Sequence, residues 1–132
     1  MSRVSILLAD DNQEFLAVET RLLEPEFEVI KTVCDGQAAL DEAARLHPDV
    51  LVLDLSMPVL GGIEAARSLR AAGSRIKIVV LTVHSDPDYV RAALETGALG
   101  YVLKCRLASD LVHGLREALA GRLFVSPTIC LE

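Results

Sequence analysis

Five short apolar runs punctuate the chain, and each is followed by a helix-patterned stretch. The runs are Val4 to Ala9, Phe27 to Cys34, Val50 to Leu53, Ile76 to Leu81 and Tyr101 to Leu103. A short apolar run suits a strand and a period of three to four suits an amphipathic helix, so their alternation predicts a parallel α/β sheet. The first, third and fourth runs are apolar almost throughout, as strands covered by helices on both faces should be, and are expected at the centre. In the second run Phe27, Val29 and Lys31 interleave with Glu28, Ile30 and Thr32, and this mixture of polar residues suits an edge. The fifth run is short, which also suits an edge. Val90, Ala93 and Leu94 give one helix an apolar stripe, and Leu111, Leu115, Ala118 and Leu119 give another, both facing the sheet.

Gly97 and Gly121 follow these two stripes as C-terminal stops. His47-Pro48 ends a further helix, because the residue before proline is pushed out of helical geometry. Internal repeats and low-complexity tracts are missing. The expected division is one domain over residues 1–122 and a tail or start of a linker over 123–132, with Phe124 to Glu132 extended and Leu131-Glu132 left uninterpreted.

A length of 132 residues fits one core, and 52% hydrophobic residues with a mean hydropathy of +0.39 exclude a disordered polymer. The formal charge of −6 leaves no basic stripe for a nucleic-acid backbone, so DNA is expected only through an output domain absent from this chain. Cys34, Cys105 and Cys130 are an odd, scattered set with no disulfide framework. The apolar runs are too short to cross a bilayer and the first meets Asp10 and Asp11, so a cytoplasmic setting without membrane contact is expected.

In a doubly wound sheet the loops at the carboxyl ends of the strands converge on one crevice. Here the first strand runs into Asp10 and Asp11, the third into Asp54, the fourth into Thr82 and the fifth into Lys104. Three carboxylates that close are costly unless a cation sits among them, and a hard divalent ion with oxygen ligands, Mg2+, answers that need. Lys104 supplies a second positive charge for a phosphoryl oxygen, and Asp54 is the best-placed nucleophile towards phosphorus. Any one aspartate alone is better explained as a helix cap. Capping, however, explains neither the lysine nor a hydroxyl ending an apolar strand.

Leu7-Leu8-Ala9-Asp10-Asp11, Asp49 through Met57-Pro58 with Gly61-Gly62, Val80-Leu81-Thr82, and Gly97-Ala98-Leu99-Gly100-Tyr101 to Lys104 together resemble the receiver domain of bacterial two-component response regulators. The resemblance covers about residues 3–121. It implies a flavodoxin-like, doubly wound, five-stranded parallel sheet of order 2-1-3-4-5 with five helices. It implies further that Asp54 accepts a phosphoryl group from a sensor histidine kinase. Asp11 and Asp54 would then hold Mg2+ directly, Asp10 through water, and the backbone carbonyl of Ser56 would complete the set. Thr82 and Tyr101 would be the switch residues, Lys104 would pair with the phosphoryl group, and Ser56 and His84 would tune hydrolysis. The face made by the fourth helix, fifth strand and fifth helix would change with phosphorylation. The ending Gly121 to Pro127, with Gly100 to Lys104, is similar to receivers that precede a LuxR-type helix-turn-helix domain, which implies transcriptional output.

Many receivers carry proline after the site lysine, where Cys105 stands here, read as an inert reduced cysteine. His47, His84 and His113 fall in separate segments and do not make a zinc cluster. Gly61 and Gly62 belong to a turn and helix entry, since no phosphate-loop pattern surrounds them. Three other readings stand beside the switch. A magnesium-dependent aspartyl-phosphate phosphohydrolase usually has a second carboxylate two residues past the nucleophile, and that position is Ser56. A flavin binder would not place Asp10-Asp11-Asn12 where a phosphate must sit. A phosphorylation-independent interaction domain is the third. A homodimer through the outer faces of the first or fifth helix is left open, and the chain is expected to be no metabolic enzyme beyond its own phosphorylation and dephosphorylation.

Overall fold

Strand and helix alternate along the chain, and every strand pairing is parallel. The computed structural model describes residues 3–127. The elements are β1 (Ser5–Ala9), α1 (Gln13–Leu23), β2 (Glu28–Val33), α2 (Gly36–Leu46), β3 (Val50–Leu53), α3 (Gly62–Ala71), β4 (Lys77–Thr82), α4 (Pro87–Glu95), β5 (Gly100–Leu103), a 3-10 turn (Lys104–Arg106), α5 (Leu107–Leu119) and β6 (Phe124–Val125). The sheet order is β2-β1-β3-β4-β5-β6. Its first five strands follow the expected order, with β2 at one edge and β1, β3 and β4 inside.

The side-chain alternation of the strands splits the core into two layers. Leu7, Leu51, Leu53, Val80 and Tyr101 meet Ala39, Ala43, Ala65, Leu69, Val90 and Ala93 of α2, α3 and α4. Ile6, Leu8, Val52, Leu81 and Val102 meet Leu16 and Leu23 of α1 and Leu111, Leu115 and Ala118 of α5 on the other face. Because both faces are covered, neither parity of a central strand tolerates a polar residue; each buried Leu, Ile or Val contributes about 1.5–3 kcal/mol. The stripes expected on α4 and α5 are the stripes that pack. Gly97 and Gly121 both have positive φ just past their helices, and His47 closes α2 in the left-handed region at φ 48°.

The structure corrects the fifth run as an edge. Phe124–Val125 pair with Gly100 and Tyr101 and take the outer position, so β5 has a neighbour on each side. The start of the stretch expected to be tail is thus part of the sheet. Residues 128–132, with Cys130 and the Leu131-Glu132 ending, lie outside the described residues. No cis peptide bond occurs among the described residues, and a 3-10 turn carries the chain through Cys105.

One position is strained. Val59, in the loop between β3 and α3, has φ 69° and is 82% exposed. A β-branched residue in the left-handed region costs about 1–2 kcal/mol, and no burial offsets that here. Val59→Gly should therefore raise stability by about 0.5–1 kcal/mol, the strain relieved less the extra unfolded-state entropy of glycine. Urea denaturation of the two proteins reads this; a less stable glycine variant would show that the loop needs the valine side chain.

Candidate functional site

The site lies where the sheet order reverses direction, at the carboxyl ends of β1 and β3. Ala9 and Leu53 are paired in register, and the Asp54 amide donates to the Ala9 carbonyl at 3.0 Å, so Asp10 and Asp54 leave adjacent strands side by side. Asp11 follows on the solvent side and is exposed, whereas Asp10 and Asp54 are 1% and 4% exposed. Each of the three offers a carboxylate oxygen within 4.8 Å of the others, the single such group of acidic, cysteine or histidine ligands among the described residues.

None of the three caps a helix. Asn12 caps α1, its Oδ1 accepting from the Glu14 and Phe15 amides at 2.9 and 3.1 Å, and Gly61 stands at the start of α3 with no side-chain cap. The approach of α3 depends on Gly62, since a Cβ there would lie 2.2 Å from the Asp54 carbonyl oxygen. Gly61 and Gly62 thus do form the helix entry. Local backbone bonds orient the carboxylates: Asp10 Oδ1 accepts from the Asn12 amide at 2.9 Å, and Asp54 Oδ1 from the Ser56 amide at 3.3 Å.

Lys104 reaches this pair from the turn directly after β5, with Nζ 2.7 Å from Asp10 Oδ2 and 3.1 Å from Asp54 Oδ2. Its ammonium also sits 4.3 Å from the centroid of the Phe15 ring, which closes one side of it. Burial pulls the lysine pKa down, but the hydrogen bonds and charges of Asp10 and Asp54 outweigh it, so the pKa is raised and Lys104 stays a cation. For Asp54, burial pushes the carboxyl above its ordinary value; Lys104 opposes this, and the negative charge of Asp10 adds to it. A buried, electron-rich carboxylate beside a fixed cation is thus held where the strand ends meet.

Thr82 ends β4, fully buried, and its Oγ1 accepts from the His84 amide at 3.3 Å. Tyr101 is buried on β5, and its hydroxyl donates to the His84 carbonyl at 2.6 Å. Burial raises the Tyr101 phenol further above neutral pH, so it remains a donor. The His84 side chain is stacked on Tyr89 with centroids 4.5 Å apart, and its Nε2 lies 2.7 Å from Ser56 Oγ. The loop after β4 is therefore tied to Thr82, Tyr101 and Ser56 through one residue. All the candidate residues from the sequence meet around this edge. His47 and His113 do not join them: His47 ends α2, and His113 stands edge-on to Phe124.

Two residues escaped sequence reasoning. Phe15 flanks Lys104, and Glu19 of α1 is 1% exposed with Oε2 lacking a hydrogen-bond partner among the described residues. Burial pushes the Glu19 pKa up to about 8, with the charge of Asp10 adding to the rise and that of Lys104 opposing it. The signal for Glu19 was present, because it falls between Leu16 and Leu23 on the apolar stripe of α1. No helix among the described residues is long and apolar enough to cross a membrane.

Residues 6–116 match the family model described as the response regulator receiver domain. The chain is 35% identical over 130 residues to the transcriptional regulatory protein DegU of Brevibacillus brevis, a match covering 97% of this chain and 55% of that protein. It is 37% identical over 120 residues to the transcriptional regulatory protein LiaR of Bacillus subtilis, covering 89% of this chain and 57% of LiaR. The chain therefore spans a little over half the length of these two relatives. Among solved structures, a LuxR-family two-component response regulator from Aurantimonas sp. SI85-9A1 superposes with a TM-score of 0.91 at 35% identity, covering 97% of this chain and 93% of that one. The isolated receiver domain of RcsB from Salmonella enterica serovar Typhimurium, in the presence of phosphomimetic BeF3−, gives 0.89 at 26% identity, covering 97% and 96%.

Proposed function

Because the chain belongs to the response regulator receiver family, we propose that Asp54 is its phosphoacceptor and that phosphorylation switches the α4-β5-α5 face. The observation that carries this reading is the Lys104 ammonium between Asp10 and Asp54, 2.7 and 3.1 Å away, at the point where the sheet order reverses. A nucleophilic carboxylate oxygen of Asp54 would bond to phosphorus as the bond to the phosphohistidine nitrogen of a sensor kinase breaks. Lys104 would exchange part of its pairing with Asp54 for a phosphoryl oxygen without changing its own charge.

The acidic set fits Mg2+, since three hard oxygen donors converge and Asp11 leaves the site open to water. Asp11, Asp54 and the Ser56 backbone carbonyl would hold it, with Asp10 behind them; the ion would neutralise the negative charge gathered on the transferring group. Thr82 and Tyr101 would carry the new charge to the loop after β4, because both already bond to His84. Ser56 and His84, bonded to each other beside the acceptor, would set access for the hydrolytic water.

The receiver would take in β6 (Phe124–Val125) as well as the expected residues 1–122, and the protein's output would act on transcription. Support for that output comes from the relatives, which are named transcriptional regulatory proteins and LuxR-family response regulators. A second copy of the chain and a sensor histidine kinase are the expected partners, in the cytoplasm. A structure of two RcsB dimers bound to two parallel DNAs supports a second copy as a partner. The only chemistry assigned to the domain is its own phosphorylation and dephosphorylation.

Intact-mass spectrometry after incubation with acetyl phosphate tests the reading. With Mg2+ the chain should gain one labile phosphoryl group, and removal of divalent ions by chelation should slow labelling by about tenfold or more. No adduct with acetyl phosphate, phosphoramidate or a phosphorylated sensor kinase would instead identify a phosphorylation-independent interaction domain.

A further inference from the structure

A second buried polar cluster lies behind the site, where β6 meets α5. Ser126 and Asp110 are 1% and 4% exposed. The Ser126 hydroxyl accepts the Leu103 amide at 3.0 Å and donates to Asp110 Oδ2 at 2.8 Å, while the Ser126 amide donates to the Tyr101 carbonyl at 2.9 Å. Arg106 Nε in turn donates to Asp110 Oδ2 at 2.7 Å. Burial pushes the Asp110 carboxyl up, but the bonds from Arg106 and Ser126 outweigh it and hold the group below the usual carboxylate range, so it stays ionised. Phe124, two residues earlier, donates its amide to the Leu99 carbonyl at 2.9 Å and lays its ring against Gly114, where a Cβ would come within 3.1 Å.

These contacts fall on one short stretch of β5. Leu103 immediately precedes Lys104, and Tyr101 is the buried aromatic whose hydroxyl holds the loop after β4. Cys105 gives the turn after Lys104 neither a rigid ring nor a buried anchor, since it is exposed. Without the Ser126 hydroxyl the Leu103 amide would be left unpartnered inside the protein, and the backbone would move to satisfy it. Lys104 must place its ammonium within about 3 Å of two carboxylates, so its pairing depends on that backbone.

We infer that Ser126, held by Asp110 and Arg106, is a positioning residue for Lys104, and that the seating of residues 124–126 is coupled to phosphoryl transfer at Asp54. The inference rests on the phosphoacceptor reading for its second half only. The coupling is reciprocal: a change in the charge that Lys104 faces alters how firmly the exit strand is held, and release of that strand loosens the lysine. Residues 124–126 thereby report the state of the site through β5 and α5, both of which they contact.

The test uses the whole chain as wild type, Ser126→Ala and Ser126→Thr, with Asp110→Asn as a second way to weaken the clamp should the alanine variant fold poorly. Hydrogen exchange is followed at Leu103 and Lys104, with Mg2+ affinity by calorimetry and the acetyl phosphate labelling rate by mass. Ser126→Ala should speed exchange at these two amides about tenfold and slow labelling about three- to tenfold, the range one lost hydrogen bond supplies. Mg2+ affinity should not fall, because its expected ligands lie on other strands and a loosened Lys104 competes less for Asp10 and Asp54, and Ser126→Thr should restore both exchange and rate. A general loss of structure would lower metal affinity as well. Unchanged exchange would overturn the clamp, and faster exchange with an unchanged labelling rate would overturn its role in positioning Lys104. If wild type takes no phosphoryl group at all, the phosphoacceptor reading falls, and the exchange comparison still decides whether Ser126 clamps β5.

Discussion

Asp54→Asn is expected to take up no phosphoryl group from acetyl phosphate under conditions that label wild type fully, and to remain folded and at least as stable at neutral pH. The amide has nearly the shape of the carboxylate but offers no charged oxygen to attack phosphorus. The stability half follows from the raised pKa of Asp54, which shows that its surroundings favour the neutral group over the charged one, burial being the main cause. Lys104 keeps its partner at Asp10, 2.7 Å away, so the substitution strands no buried cation. Intact mass and a thermal melt read both halves. An adduct of equal yield on the variant would move the acceptor to another residue, and a collapse in melting temperature would make Asp54 a structural member of the ion cluster.

Glu19→Gln should make the protein more stable, by an amount that grows with pH. The Glu19 carboxyl has its pKa raised from 4.5 to about 8, first by burial and then by Asp10. Between those values the native chain holds a proton that the unfolded chain has released, so wild-type stability declines as pH rises through that window. The decline is complete above about pH 8; at about 1.4 kcal/mol per unit it amounts to a few kcal/mol. Glutamine carries no such proton, so the variant should lose this slope and stand furthest above wild type near the alkaline end. Its amide can still donate towards Asp10, which keeps the neighbourhood of the site intact. Urea midpoints measured from mildly acidic to mildly alkaline pH decide the matter, and two parallel profiles would show that Glu19 ionises without penalty.

Most of the fold could be read before the structure because both faces of the sheet are covered. Val50 to Leu53 and Ile76 to Leu81 had to be apolar at every position to survive burial on two sides, and no helix of useful length fits in either run. The helix stops at Gly97 and Gly121 were legible because positive φ selects glycine. The acidic site was legible because Asp10, Asp54, Thr82 and Lys104 end or directly follow strands, and parallel strands deliver their carboxyl ends to one edge.

What escaped reading depends on contacts between distant segments. Phe124–Val125 is too short to show a period, and becomes a strand only because β5 presents a free edge. Phe15 is an ordinary apolar helix residue until Lys104 arrives from the far end of the chain to lie against its ring. Ser126 sits in a stretch that reads as tail, and its burial follows from the pairing of β6.

The sequence by itself determined the alternation of strand and helix, the inner places of β1, β3 and β4, and the gathering of Asp10, Asp11, Asp54, Thr82 and Lys104 at the crevice. Those properties follow from local periodicity and from the rule that parallel strands point the same way. Tertiary structure alone decided that Lys104 bridges Asp10 and Asp54, that His84 links Thr82, Tyr101 and Ser56, that Glu19 is buried beside the carboxylates, and that the departing strand is clamped to β5. Each of these is a through-space matter of distance and solvent exclusion between residues remote in sequence, and the energies of ions and hydrogen bonds change with such distances and with burial far more than with residue type.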